Sequence, residues 1–226
     1  MRAPVSVIIP TLNAEGALAA CLAALFEGLR SGVIRELIVV DGGSDDGAVA
    51  MAEEAGAVVL RTAPSRGGQL RAGGAAASGE WLLFLHADTC LEPGWSEAVM
   101  DHMASSLGAG YFRLRFDTGG VAARIVAGWA NLRSRLFGLP YGDQGLLVPR
   151  ALYEQSGGFA DMPLMEDVAM ARALRGQMRG LDAIAVTSAE KYREAGWIRR
   201  GVRNLWTLAR YFAGVSPKTL VESYRR

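Results

Sequence analysis

The chain has 226 residues, of which 50% are hydrophobic and 21% charged, a balance typical of globular proteins that excludes intrinsic disorder as the main state. The formal net charge is +1 at pH 7, so no global basic field favours nucleic acid as a partner. The two cysteines, Cys21 and Cys90, have no metal-ligand spacing, and a reducing cytoplasm is the simplest compartment for them. We expect neither a secretory signal nor a membrane-spanning segment, because the apolar runs are too short.

The first 85 residues alternate between short apolar segments and segments rich in alanine and leucine. Strands are predicted at residues 5–10, 36–40, 58–61 and 81–85, and helices at 14–30, 46–55 and 69–78. Strands that are apolar throughout and joined by helices are typical of a parallel sheet covered on both faces. We therefore predict an α/β fold with a mostly parallel central sheet.

Beyond residue 93 the alternation is less regular. A helix is predicted after Pro93, followed by strands at 111–116, 145–148 and 182–187 and helices at 121–137, 165–174, 197–213 and 217–224. We predict three parts, 1–105, 106–195 and 196–226, of which the first two share one sheet.

Ligands of open α/β sheets bind outside the carboxyl ends of the strands, which directs attention to the loops there. In the segment 41–47, Asp45 and Asp46 fit a strand-to-helix turn in which acids cap the helix and complement its dipole. Asp41 comes before the turn, over the strand ends, where a carboxylate can accept from a base N–H or a ribose hydroxyl.

The segment His86-Ala87-Asp88 follows the very apolar strand 81–85. A carboxylate at this rim can hold a divalent cation that also bridges a diphosphate. Asp88 comes too early to cap the helix after Pro93, whereas for His86 a structural place at the rim is favoured over metal ligation.

Glu166 and Asp167 begin a predicted helix, where acids favour the helix dipole whatever else they do. Adjacent residues on a helix point in different directions. One carboxylate can therefore serve as a general base while the other holds an internal partner.

Taken together, these loops resemble the family-2 glycosyltransferases with the GT-A fold. The matching segments, in the family's order, are Ile9-Pro10-Thr11-Leu12-Asn13, residues 38–47, 72–80 and 83–88, Gly142-Asp143-Gln144 and Glu166-Asp167. A small bacterial subgroup fits best, through residues 66–70, 85–89, 142–145 and 211–224. The resemblance covers nearly the whole chain.

The resemblance implies inverting, metal-dependent transfer of a sugar from a nucleotide diphosphate sugar to a hydroxyl acceptor, with the donor bound by 1–105 and the acceptor by 106–195. Pro10, Thr11, Asn13 and Asp41 are implied to line the nucleotide pocket, with Arg66 and Gln69 contacting phosphate or ribose. Asp88, with His86 where the family usually has aspartate, is implied to bind Mn²⁺ or Mg²⁺. Asp167 is implied to be the catalytic base, and Asp143, Gln144 and Glu166 to lie on the acceptor side.

The C-terminal part is basic, since residues 191–226 hold nine Lys or Arg and two acids, a net charge of +7. On the predicted helix, one face holds Ile198, Val202, Leu205, Ala209 and Phe212, and the arginines lie away from it. This face either lies on the inner face of an anionic membrane and brings the enzyme to a lipid-linked acceptor, or docks on the protein with the basic face in solvent.

Two other functions remain open. A methyltransferase using S-adenosylmethionine would explain the glycine turn after Asp41, but not the acids at Asp88 and Asp167. A non-catalytic nucleotide-sugar-binding protein would keep the pocket without turnover. A dinucleotide oxidoreductase is disfavoured, because no Gly-x-Gly-x-x-Gly follows the first strand.

Overall fold

The computed structural model describes residues 3–224, which form an eight-stranded mixed sheet flanked by helices. The strands are β1 Val5–Thr11, β2 Ile34–Asp41, β3 Val58–Arg61, β4 Trp81–Phe84, β5 Thr89–Leu91, β6 Ala109–Phe116, β7 Leu146–Pro149 and β8 Met178–Thr187. The helices are α1 Glu15–Arg30, α2 Ala48–Glu54, α3 Arg66–Ala76, α4 Trp95–Ser105, α5 Val121–Phe137, α6 Arg150–Gln155, α7 Glu166–Ala173, α8 Glu190–Ala195, α9 Trp197–Phe212 and α10 Pro217–Tyr224, with a 3-10 turn at Gly142–Gln144.

The sheet has the strand order β3-β2-β1-β4-β7-β6-β8-β5. The prediction of parallel strands is confirmed for β1 to β4. The second half is mixed, since β7 runs antiparallel to both β4 and β6, whereas β6 and β8 are parallel. β7 follows the 3-10 turn directly. This turn lies against His86 at the carboxyl end of β4, so β7 leaves that edge in the opposite direction.

Both faces of the sheet are covered, as the apolar strands predict. Along β1, Val7 and Ile9 enter one core, which includes α1 and α4, whereas Ile8 enters the other, with α3, α6 and α7. Successive side chains of a strand point to opposite faces, so a strand buried on both faces is apolar at every position.

Helices α8 to α10 complete the fold at the edge where the strands carry their polar loops. Leu220 of α10 is fully buried against Met165 and Val168, which flank the first turn of α7. Helix α9 buries Thr207 and leaves Ile198 and Trp206 in solvent, so the docked arrangement of its apolar face is wrong. Arg225 and Arg226 of the basic tail lie outside the described residues.

Within residues 3–224, no helix is long and apolar enough to cross a membrane.

Candidate active site

A cleft of about 150 Å³ opens beyond the carboxyl end of β4. The predicted site residues that line it are Arg66, His86, Asp88, Asp143, Glu166 and Asp167. Asp88 and Asp167 therefore face one shared cavity, as the resemblance requires.

Asp167 is held at the start of α7. Its Oδ2 accepts a hydrogen bond from the Gly142 N–H at 2.9 Å, and its Oδ1 accepts from the Val168 N–H at 2.7 Å. The preceding Met165 has φ of 68°, a left-handed conformation that costs a non-glycine residue about 1–3 kcal/mol and often marks a functional site. The two backbone donors fix the direction of the carboxylate at the start of the helix.

His86 packs against the 3-10 turn. A Cβ on Gly142 would lie 2.2 Å from His86 Nε2, so only glycine allows this approach. Burial, followed by the positive charge of Arg66, lowers the pKa of His86 to about 3. The imidazole is therefore neutral at physiological pH.

Two further carboxyl groups lie in the cleft wall, that of the buried Glu166 and that of the partly buried Asp143. Burial, with the adjacent charge of Asp167, raises the pKa of Glu166 to about 7, and its Oε1 lies 3.7 Å from Arg66 Nε. Burial likewise raises the pKa of Asp143 to about 6. Glu166 Oε2 and Asp143 Oδ1 have no hydrogen-bond partner among the residues that the structure describes.

Asp88 is partly exposed in the cleft and lies 3.7 Å from Lys191 Nζ. Lys191 of α8 and Arg200 of α9 add positive charge to that of Arg66, so three elements supply cations to one cavity. The sequence did not predict the role of Lys191 and Arg200, because their place in an amphipathic basic tail indicated a surface rather than a cleft.

The residues predicted to line the nucleotide pocket lie at the same rim but outside this cleft. Thr11 and Asp41 are aligned neighbours at the ends of β1 and β2. Burial alone would raise the pKa of Asp41, but hydrogen bonds from Ser44 and Gly43 outweigh it and lower the pKa. Asn13, with φ of 51°, accepts from the Asp45 N–H at 2.8 Å. Pro10 precedes Thr11 and is partly buried.

The structure does not bring Gln69 and Gln144 to the cleft. The Gln69 amide donates to the backbone oxygens of Thr11 and Val40, both at 2.8 Å, and ties β1 to β2. Gln144 is fully buried, where it donates to the Phe112 oxygen at 3.1 Å and accepts from Ser134 Oγ at 2.6 Å. In this arrangement neither amide is available for the substrate contacts expected of it, because internal partners occupy both.

The fold is similar to that of several solved glycosyltransferase structures. S. aureus TarS 1–349 has a TM-score of 0.62 and 18% identity over 83% of this chain and 58% of its own. Glucosyl-3-phosphoglycerate synthase from Mycobacterium tuberculosis, in complex with Mn²⁺, UDP and glucosyl-3-phosphoglycerate, has a TM-score of 0.60 and 20% identity over 89% of this chain and 78% of its own. TarS 1–349 in complex with UDP-GlcNAc has a TM-score of 0.60 and 17% identity over 83% of this chain and 56% of its own.

At these identities the likeness shows the fold alone, and the chain spans little more than half of TarS 1–349. No curated protein matches the chain. Residues 6–135 match the model of the family described as "Glycosyl transferase family 2". Because that match covers more than half of the sequence, the protein belongs to glycosyl transferase family 2.

Proposed function

We propose that this protein is a metal-dependent, inverting glycosyltransferase that moves a sugar from a nucleotide diphosphate sugar to a hydroxyl acceptor. The observation that carries the proposal is the shared cleft, in which Asp88 and Asp167 face the same space. UDP-GlcNAc in TarS and UDP with Mn²⁺ in glucosyl-3-phosphoglycerate synthase support the donor class and the metal. Family membership argues against the S-adenosylmethionine methyltransferase.

Asp167 is the proposed general base. The acceptor oxygen attacks the anomeric carbon and forms the new C–O bond while the bond to the diphosphate breaks, and the acceptor proton passes to Asp167. Two backbone donors fix the direction of the carboxylate. Attack from the side opposite the leaving diphosphate inverts the anomeric configuration.

The diphosphate side of the cleft requires positive charge. Arg66, Lys191 and Arg200 line this cavity and would stabilise the charge that develops on the leaving group. Mn²⁺ or Mg²⁺, when bound, would supply further neutralisation of that charge.

The cleft residues suit a bound Mn²⁺ or Mg²⁺ if the diphosphate supplies the remaining ligands. In the described part of the chain, no group of three or more His, Cys, Asp or Glu side chains is placed to hold a metal. Magnesium is commonly bound by one or two carboxylates together with substrate phosphates, and Asp88 is the carboxylate that would serve here. The neutral His86 lies beside it as a second candidate ligand.

The nucleoside would lie across the ends of β1 and β2, against Pro10, Thr11, Asn13 and Asp41. Asp143 and Glu166 would line the acceptor side of the cleft. Both cysteines are free thiols, which suits the cytoplasm as the proposed compartment.

The test is release of nucleotide from a panel of nucleotide sugars, with and without Mn²⁺, by the wild type and by Asp167→Asn. We expect metal-dependent release, which the substitution lowers by about 10²–10⁴-fold with little change in nucleotide affinity. Asp161→Asn is the control, because Asp161 accepts a hydrogen bond from Ser65 and does not line the cleft.

Nucleotide binding by the wild type without any turnover would instead favour a non-catalytic nucleotide-sugar-binding protein. Full turnover by Asp167→Asn would contradict the assignment of the base. Thermal stabilisation by S-adenosylmethionine alone, and not by nucleoside diphosphates with Mn²⁺, would contradict the proposed function.

A further inference from the structure

Helix α9 turns its polar side towards the protein and its apolar side towards solvent, the reverse of a typical surface helix. Its inner side is polar, with Thr207 buried and Arg200 and Asn204 lining the cleft. Its outer side is apolar: Ile198, Val202, Leu205, Trp206 and Phe212 are all exposed, Ile198 to 84%. A surface helix normally turns its apolar stripe to the core, so this orientation indicates that something else covers the stripe.

Helix α5, which contacts α9, has the same feature. Its buried residues are the small Ala123, Ala127, Ala130 and Ser134, together with Arg133. Its large apolar side chains face solvent: Val121, Ile125, Trp129, Leu132, Leu136 and Phe137. We refer to the exposed apolar residues of these two helices as the α5–α9 surface.

The charge on these helices favours an anionic partner. Neither α5 nor α9 contains an acidic residue, and Arg124, Arg135 and Arg199 are exposed beside the apolar stripes. A second copy that used the same surface would bring these arginines towards their own counterparts. Exposed tryptophans such as Trp129 and Trp206 are typical of protein surfaces at a membrane interface.

We propose that the α5–α9 surface docks on an anionic phospholipid bilayer, with its apolar side chains among the lipid headgroups and acyl chains and its arginines at the phosphates. Apolar burial combined with attraction to anionic lipid is how amphipathic helices bind in the plane of a membrane. Both helices lie on the bilayer rather than span it.

This docking has a consequence for the acceptor, which rests on the proposed function. The side of α9 that faces the protein lines the catalytic cleft, and an α-helix is about 10 Å across. The cleft would therefore lie roughly one helix diameter, about 10 Å, from the lipid surface. An acceptor hydroxyl carried on a lipid headgroup could reach Asp167 without leaving the membrane.

The experiment is sedimentation of the protein with vesicles of phosphatidylglycerol and phosphatidylcholine, or of phosphatidylcholine alone, at low and high salt. We expect binding to the anionic vesicles that weakens at high salt, because salt screens exposed charges. The double variant Val202→Glu, Trp206→Glu should bind at least about tenfold more weakly. A second variant, Ile125→Glu with Leu132→Glu, tests α5 separately.

The matched control is Phe26→Glu with Leu29→Glu on α1. These two side chains are 58% and 59% exposed, close to the 61% and 64% of Val202 and Trp206, but they lie on another helix. The control should bind vesicles as the wild type does. Circular dichroism melts establish that each variant is folded.

The docking proposal is overturned if the wild type does not sediment with anionic vesicles at low salt, or if both surface variants bind as tightly as the wild type. It is also overturned if the wild type is a dimer that Val202→Glu, Trp206→Glu dissociates and no vesicle binding occurs. Donor hydrolysis in detergent-free buffer is measured in parallel. Vesicle binding without hydrolysis would count against the proposed function and not against docking. Hydrolysis without vesicle binding would count against docking and not against the proposed function.

Discussion

Three carboxyl groups meet at the start of α7, and their surroundings give them different properties. Asp167 accepts from two backbone N–H groups, whereas Glu166 and Asp143 each leave a buried oxygen without a partner among the described residues. Burial disfavours the charged form of the latter two and raises the pKa of both. Asp167, whose carboxylate is held in place by two backbone donors, is the group we propose as the base.

The raised pKa of Glu166 makes stability depend on pH. A carboxyl group whose pKa is about 7 in the folded protein, against 4.5 as the ordinary value, favours folding less as the pH rises through that interval. Glu166→Gln removes this titration. We expect the free energy of unfolding of the variant, relative to the wild type, to increase as the pH rises from about 4.5 to about 7.

Urea unfolding of both proteins at several pH values is the measurement. Asp143 is present in both, so its own titration largely cancels in the comparison. A difference between the two proteins that stays constant from acid to alkaline pH would contradict the raised pKa of Glu166.

For individual residues, the sequence predicted which segments carry polar side chains, but not where each of those side chains points. Asp88, directly before β5, and Asp167, in the first turn of α7, both line the cleft. Gln69, in the first turn of α3, and Gln144, in the 3-10 turn, also lie close to the rim in sequence, yet their amides bond to backbone oxygens or side chains of distant segments. Such pairing depends on tertiary packing, which local patterns do not contain.

Among the elements, the 3-10 turn Gly142–Gln144 joins the two sides of the site. The Gly142 N–H holds Asp167, and its missing side chain leaves room for His86. The family resemblance implies that Asp143 and Gln144 lie on the acceptor side, but the sequence pattern predicts no structure for this segment. A three-residue turn has too little periodicity to be recognised.

We predict that Gly142→Ala lowers kcat for donor hydrolysis by at least about tenfold, because displacement of a catalytic group by about 1 Å can cost 10²-fold. The added Cβ would force His86 and the turn apart. It would thereby displace the backbone N–H of residue 142, which donates a hydrogen bond to Asp167. Gly128→Ala in α5 is the control, since nothing lies within 4 Å of its Cβ, and it should stabilise the helix by up to about 1 kcal/mol. Steady-state kinetics and thermal melts measure both, and unchanged kcat for Gly142→Ala would contradict the role of the turn.

The longer strands and helices were predicted from their sequence patterns, and each exception has a physical reason. Apolar runs of four or more residues located β1 to β4, whereas β5 spans only Thr89–Leu91 and was missed. The periodicity of α9 predicted a helix with one apolar face. It could not say which face turns inward, because that choice depends on the cleft beneath the helix and on what covers the outside.

Across the whole molecule, the predicted division near residue 105 does not separate two hydrophobic cores. Strand β4 pairs with β7 from Trp81–Pro149 to Phe84–Leu146. The core beside α1 also contains Leu147 of β7 and Ala185 of β8. The parts before and after residue 105 thus share one sheet and the hydrophobic cores on both of its faces, which fixes the position of Asp88 relative to Asp167.

This sharing predicts cooperative unfolding. We expect the urea transitions followed by far-ultraviolet circular dichroism and by tryptophan fluorescence to coincide, since coincident probes are a mark of two-state behaviour. Trp95 lies in the core beside α1 and Trp129 in the second half, so tryptophan-to-phenylalanine variants report each half separately. The fragment 1–105 should fail to fold alone, because without β7 the strand β4 becomes an exposed apolar edge. Two separated transitions, or a folded fragment, would show that the halves are independent domains and that the geometry of the cleft depends on how they dock.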